Sequence, residues 1–301
     1  PFDQGLLKVD KIHEIYWEQS GNPEGVPVIF FHGGPGSGTN PSQRRYFDPS
    51  FYRIILFDQR GCGKSLPYGE INKNTLWHLI DDIEKLRKFL NVNQWVIFGG
   101  SWGVTLAIAY GKEHPERCIA FILRGIFLGR PEELDWFLDG LQNFFPEAHK
   151  KLHDFLPVEE HSELLFHFYR RLKSQDENIN LPAARAWNDY ETSCSVLLPQ
   201  QTNFLSNPSL ALARIEVHYF INNMFLDEKP ILNNLKTISQ KPTTLIQGRY
   251  DMICPTKSAI ELAENWPNSD LKIILDAGHS ASEQGIRSAL IETMNTLRED
   301  L

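Results

Sequence analysis

Gly99-Gly100-Ser101-Trp102-Gly103 stands between an apolar run, Trp95-Val96-Ile97-Phe98, and a helix-compatible stretch, Val104 to Tyr110. The pentapeptide is a G-x-S-x-G nucleophile elbow in the context it needs, a buried strand before it and a helix after it. Glycines two before and two after the serine permit a strained, crowded turn. The Ser101 hydroxyl is expected at the carboxyl edge of a sheet. The helix N-terminus there favours developing negative charge. That helix has to stop near His114-Pro115, because proline disfavours the helical conformation just before it.

Upstream, Val28-Ile29-Phe30-Phe31 is a second buried-strand run, followed by His32-Gly33-Gly34-Pro35-Gly36. A loop of this H-G-G type gives one backbone N–H to an oxyanion hole, here that of Gly34. The second comes from Trp102, the residue after the nucleophile. Downstream, Thr243-Thr244-Leu245-Ile246 reads as a strand ahead of Gly248-Arg249-Tyr250-Asp251. Leu271-Lys272-Ile273-Ile274-Leu275 reads as the last strand, ahead of Asp276-Ala277-Gly278-His279-Ser280. Asp251 and His279 thus follow strand ends, in the chain order Ser…Asp…His, on the edge where open α/β sheets form their sites. His279 is the expected base and Asp251 its orienting acid. Asp276 is the weaker rival, only three residues from His279.

The flanking segments extend the pattern. Leu6–Val9 and Ile12–Trp17 read as a hairpin turning at Asp10-Lys11, and Arg53–Phe57 and Ile119–Leu123 as further strands. Thr75–Leu90 carries Leu76, Leu79, Ile80, Ile83, Leu86 and Leu90 at helical spacing, with Asn74 or Thr75 as cap. A last helix covers about Glu283–Arg298. Such alternation predicts a mostly parallel sheet with helices on both faces. Between about 126 and 236 it stops, and aromatic, helically spaced residues take over. The expected organisation is a catalytic domain of residues 1–125 and 237–301 with an inserted helical cap, 126–236.

With 301 residues and a net charge of −8, nucleic-acid binding has no electrostatic support. No apolar run approaches the roughly 18 residues of a membrane span, and the start lacks the features of a secretory signal. Cys62, Cys118, Cys194 and Cys254 are far apart, which suggests reduced thiols and a cytoplasmic location. Two motifs fail on inspection. Asp58-Gln59-Arg60-Gly61-Cys62-Gly63-Lys64-Ser65 lacks the first glycine of a phosphate loop. His149 and His153 are four apart, but no Glu completes a zinc motif, and His13-Glu14-Ile15-Tyr16-Trp17 ends in Trp where that motif needs His. No metal and no cofactor is expected.

The motifs His32-Gly33-Gly34-Pro35-Gly36, Asp58-Gln59-Arg60-Gly61, Gly99–Gly103, Gly248–Asp251 and Gly278-His279-Ser280 together resemble the proline iminopeptidases. So do Ile15–Glu18, Ser20–Pro23, Leu123–Phe127, Ala213–Glu216 and His218–Phe220. The resemblance is thinnest over about 135–180. Val104, Ser37 and Tyr190 depart from the family pattern. The resemblance implies an α/β-hydrolase fold and a serine exopeptidase that releases N-terminal proline from small peptides. It also implies that Glu191 and Glu216 receive the substrate's positively charged imino group. Glu191 lies four residues after Trp187, on one helix face with it. Arg124, at the end of its strand, is expected to pair with one of the glutamates and keep it ionised. Phe127 and Trp187 are expected to shape a pocket for the pyrrolidine ring. A carboxylesterase or general amidase of the same fold, and a non-catalytic ligand-binding relative, are the alternatives.

Overall fold

The computed structural model describes residues 1–198, 209–226 and 231–301. The strands are β1 (Asp3–Lys8), β2 (Glu14–Gly21), β3 (Val26–Phe31), β4 (Tyr52–Phe57), β5 (Trp95–Ser101), β6 (Cys118–Ile126), β7 (Thr243–Gly248) and β8 (Ser269–Ile274). They form one sheet in the order β1-β2-β4-β3-β5-β6-β7-β8. β1–β2 and β2–β4 are antiparallel and the remaining pairs parallel. The central strands β3 and β5 are almost wholly buried, as continuous apolar runs must be when both faces are covered. The first hairpin differs from the sequence expectation. Its turn spans Val9 to His13, because the Asp10 carboxylate captures the amides of Ile12 and His13, both at 2.7 Å.

Helices α1 (Leu76–Phe89), capped by the Thr75 side chain, and α2 (Trp102–Glu113) pack on one face of the sheet. Between β6 and β7 come α3 (Pro131–Leu138), α4 (Pro146–Asp154), α5 (Leu164–Lys173), α6 (Glu177–Cys194) and α7 (Leu210–Ile221). α4 to α7 pack on one another. α8 (Thr256–Asn265) and α9 (Gln284–Asp300) complete the chain, α9 with Ile286, Leu290 and Met294 on the opposite face of the sheet. Among the described residues, no helix is long and apolar enough to cross a membrane.

Arg60 anchors the loop that follows β4. It is 2% exposed and meets Asp82 of α1 through Nε (2.5 Å) and Nη2 (2.7 Å), and Asp10 through Nη1 (2.7 Å). Removing one partner of such a buried pair strands the other charge. Asp82→Ala is expected to cost about 3–5 kcal/mol of stability. Denaturant unfolding checks this, and an unchanged midpoint would contradict it.

Candidate active site

The site collects where four chain segments leave the carboxyl edge of the sheet. β5 ends in Ser101, which adopts φ 58° and ψ −125° before α2 begins at Trp102. That turn stands on the backbone of the neighbouring strand. A Cβ on Gly103 would lie 2.1 Å from the Phe31 carbonyl oxygen, so only glycine fits. The loop after β3 brings Gly34 to the wall of the cavity that Ser101 lines. The amide of Trp102, first residue of α2, is one of the N–H groups a helix leaves without an internal partner.

The Asp58–Ser65 run braces the loop that carries Gly34. Gln59 receives the Trp102 indole N–H (3.0 Å) and donates its amide to the His32 carbonyl (3.0 Å). The backbone N–H of Gln59 donates to His32 Nε2 (3.0 Å), and burial lowers the pKa of His32, keeping the ring neutral as an acceptor. Asp58 accepts from the amides of Thr39 and Lys64, and Ser65 donates to the Asp58 carbonyl. Asp58, Gln59 and Ser65 of the apparent phosphate loop are thus engaged in holding a turn.

His279 follows β8 and Asp251 follows β7. Asp251 Oδ2 accepts from His279 Nδ1 at 2.8 Å. The same carboxylate accepts from the Cys254 amide (2.8 Å) and the Gln247 side chain (3.0 Å), and it is 3% exposed. Three donors fix it as an acceptor, which holds the imidazole with its proton on Nδ1. Asp276, the rival, is exposed on the turn after β8. Ser101 and His279 line one cavity. Ser101 shares a second cavity with Cys254, and among the described residues its hydroxyl makes no hydrogen bond to His279.

On one side of Ser101 a narrow pocket of about 340 Å³ is lined by Phe127, Glu133, Leu134, Phe137, Glu191, Glu216 and Phe220, among others. Burial pushes Glu216 well above the ordinary carboxylate range. The nearby Glu191 adds to the rise, and the Trp187 hydrogen bond opposes it. Burial also raises Glu191, against the pull of His279. Two carboxylates facing one apolar pocket repel each other and gain from an incoming cation.

The structure corrects two expectations. Trp187 does not line the pocket. It is fully buried behind it and donates its indole N–H to Glu216 at 2.6 Å. The flat walls come from Phe127, Phe137 and Phe220 instead. Arg124 pairs with neither glutamate. Its Nη1 donates to the His279 carbonyl at 2.7 Å, on the other side of Ser101. Tyr190, a departure from the family pattern, points away from the pocket and donates to the Phe137 carbonyl at 2.6 Å, bracing that wall. Two supporting residues escaped the sequence reading. Gln247 joins Asp251 to the Ile126 amide at the end of β6. Glu133 accepts from the amides of Leu128 and Arg130 and from Ser258, fixing the Phe127 loop. A polar side chain at the end of a buried strand was the signal for Gln247.

Among the described residues, one group of potential metal donors lies together, Asp251, Cys254 and His279, within 4.8 Å. Asp251 and His279 spend facing atoms on each other, and burial raises the Cys254 thiol well above its usual range, which disfavours a thiolate ligand. A cleft of about 1990 Å³ between α4 and α6 contains none of the candidate site residues.

Comparison with known proteins gives the lineage. Residues 26–286 match the alpha/beta hydrolase fold family. The proline iminopeptidase of Arabidopsis thaliana is 49% identical over 298 residues, covering 97% of this chain and 78% of that protein. The chain belongs to the proline iminopeptidase family. The proline iminopeptidase of Neisseria gonorrhoeae, 44% identical over 300 residues, covers 99% of this chain and 96% of its own length. Among solved structures, a putative aryl esterase from Burkholderia cenocepacia aligns with a TM-score of 0.67 at 18% identity, covering 99% of this chain and 98% of that one. The proline iminopeptidase of Mycobacterium smegmatis aligns at 0.61 and 16%, covering 99% of both chains. At such identities these structures share the fold with this family member and say nothing more about it.

Proposed function

We propose that this chain is a serine exopeptidase that releases N-terminal proline from small peptides through an acyl-enzyme, and that Ser101, His279 and Asp251 carry the chemistry. The observation that carries the reading is the pair Glu191 and Glu216, facing an apolar pocket beside Ser101. A pocket for a neutral acyl group loses affinity by burying carboxylates, whereas one for a cationic imino group needs them. The pyrrolidine ring lies between Phe127, Phe137 and Phe220. Ser101 Oγ attacks the scissile carbonyl as His279 Nε2 takes its proton. The Gly34 and Trp102 amides receive the oxyanion. Collapse breaks the C–N bond, and His279 gives the proton to the departing amine. Water then hydrolyses the prolyl ester, again with His279 as base.

The reading divides the chain into a catalytic domain, 1–125 and 237–301, and a cap, 126–236, that supplies both glutamates. It places the protein in the cytoplasm, supported by four buried free cysteines.

Glu191→Gln and Glu216→Gln are each expected to lower kcat/KM for proline naphthylamide at least about tenfold, the worth of a hydrogen bond to a charged group. The loss is expected to be much smaller for a neutral p-nitrophenyl ester, which never engages the carboxylates. N-acetyl-proline naphthylamide is expected to be a poor substrate. Its cleavage by the wild type as fast as the free-imino substrate would overturn the exopeptidase reading in favour of an esterase or amidase.

A further inference from the structure

The cavity on the other side of Ser101 carries a cation, Arg124, beside Glu191. It holds about 790 Å³ and is lined by Gly34, Tyr46, Arg124, Glu191, His279 and Ser280, among others. Arg124 comes from β6, paired with Gly100 of the elbow. Its guanidinium lies flat on that glycine: a Cβ on Gly100 would be 2.6 Å from Nη2 and 3.1 Å from Cζ and Nε. The fork is therefore held against the base of the nucleophile turn.

Most of this fork is unspent. Nη1 donates to the His279 carbonyl (2.7 Å) and lies 3.5 Å from His279 Nε2. Among the described residues, no hydrogen bond uses Nε or Nη2, and no carboxylate pairs with the group. Five other buried or half-buried arginines differ. Arg44, Arg60, Arg87 and Arg130 each meet a carboxylate. Arg214 spends its donors on the carbonyls of Leu172, Gly69 and Ser174. Arg124 alone among these six offers a cation with free donors to a cavity that Ser101 shares.

The position matches the leaving group. The departing nitrogen takes its proton from His279 Nε2, so it sits within about 3 Å of that atom. In a leaving group of one residue, covalent geometry puts the carboxylate oxygens about 3 Å further on. Arg124 Nη1, 3.5 Å from Nε2, is within reach of that oxygen through the hydrogen it does not give to the His279 carbonyl. In a longer peptide or an amide the same place holds a neutral carbonyl.

We infer that Arg124 receives the free α-carboxylate of a one-residue leaving group, which makes dipeptides with N-terminal proline the favoured substrates. This rests on the exopeptidase reading. The glutamates bind the positive end of the dipeptide and Arg124 its negative end, with Ser101 between them.

The test compares kcat/KM for Pro-Ala and Pro-Ala-amide in the wild type, Arg124→Lys and Arg124→Met. The wild type is expected to prefer the free acid about tenfold or more, the worth of one charge-assisted contact. Arg124→Lys keeps part of that preference and Arg124→Met brings the ratio to about one. Arg124 also holds the His279 carbonyl, so a loss common to both substrates is expected, and only the ratio reads carboxylate recognition. A wild-type ratio of one, or a ratio unchanged in Arg124→Met, overturns the inference. If Arg124→Met fails to fold, the wild-type and Arg124→Lys ratios decide it. If the wild type cleaves neither peptide, the exopeptidase reading itself has failed.

Discussion

Ser101→Ala is expected to lower kcat on proline naphthylamide by about 10⁴–10⁶, and His279→Ala by a similar factor, as in other serine hydrolases. The substitution removes one oxygen and leaves its setting in place. The backbone at φ 58° is held by the elbow, with Gly103 packed on Phe31, and alanine occupies it at nearly the cost serine does. The folded protein should therefore keep its unfolding midpoint while losing turnover. A fluorophosphonate probe should label the wild type and spare Ser101→Ala. Turnover like that of the wild type in Ser101→Ala would remove Ser101 as the nucleophile.

Asp251→Asn is expected to lower kcat by roughly 10⁴, as the corresponding change does in other triads. Asp276→Asn should change it only a few-fold. Asp251 accepts from His279 Nδ1, Gln247 and the Cys254 amide. Asparagine offers one acceptor oxygen where three donors converge, and an NH₂ facing Nδ1 favours the tautomer that cannot take the serine proton. Asp276 is exposed and holds no part of the imidazole. The measurement is kcat for both variants at saturating substrate. The reverse order would make Asp276 the acid.

The strand ends that carry Gly34, Ser101, Asp251 and His279 were legible in the sequence. Each follows a short apolar run bounded by glycine or charge, and alternating runs and helices leave a parallel sheet little freedom. A residue just past a strand's carboxyl end is placed by the strand itself, so local pattern fixes it to within a turn. The amphipathic spacing of α1 and α9 fixed their buried faces for the same reason.

The helices between β6 and β7 obey a different logic. Helical period tells which residues share a face, and Trp187 and Glu191 do lie four apart on α6. It does not tell which neighbour that face meets. Packing among α5, α6 and α7 sends Trp187 into the core behind Glu216 and leaves the pocket walls to Phe127, Phe137 and Phe220. Arg124 was placed at the active edge by its strand, yet its partner depended on the length of the side chain and the bare face of Gly100. Those steered it to the His279 carbonyl and away from the glutamates. Gln247 and Glu133 became meaningful only when the ends of β6 and β7 and the start of α8 met. The sequence alone determined the sheet, its order of chemistry-bearing ends and the nucleophile turn, because those follow from local periodicity and backbone sterics. The tertiary structure decided which side chains face the cavity and which stand behind them, because that depends on contacts between segments far apart in the chain.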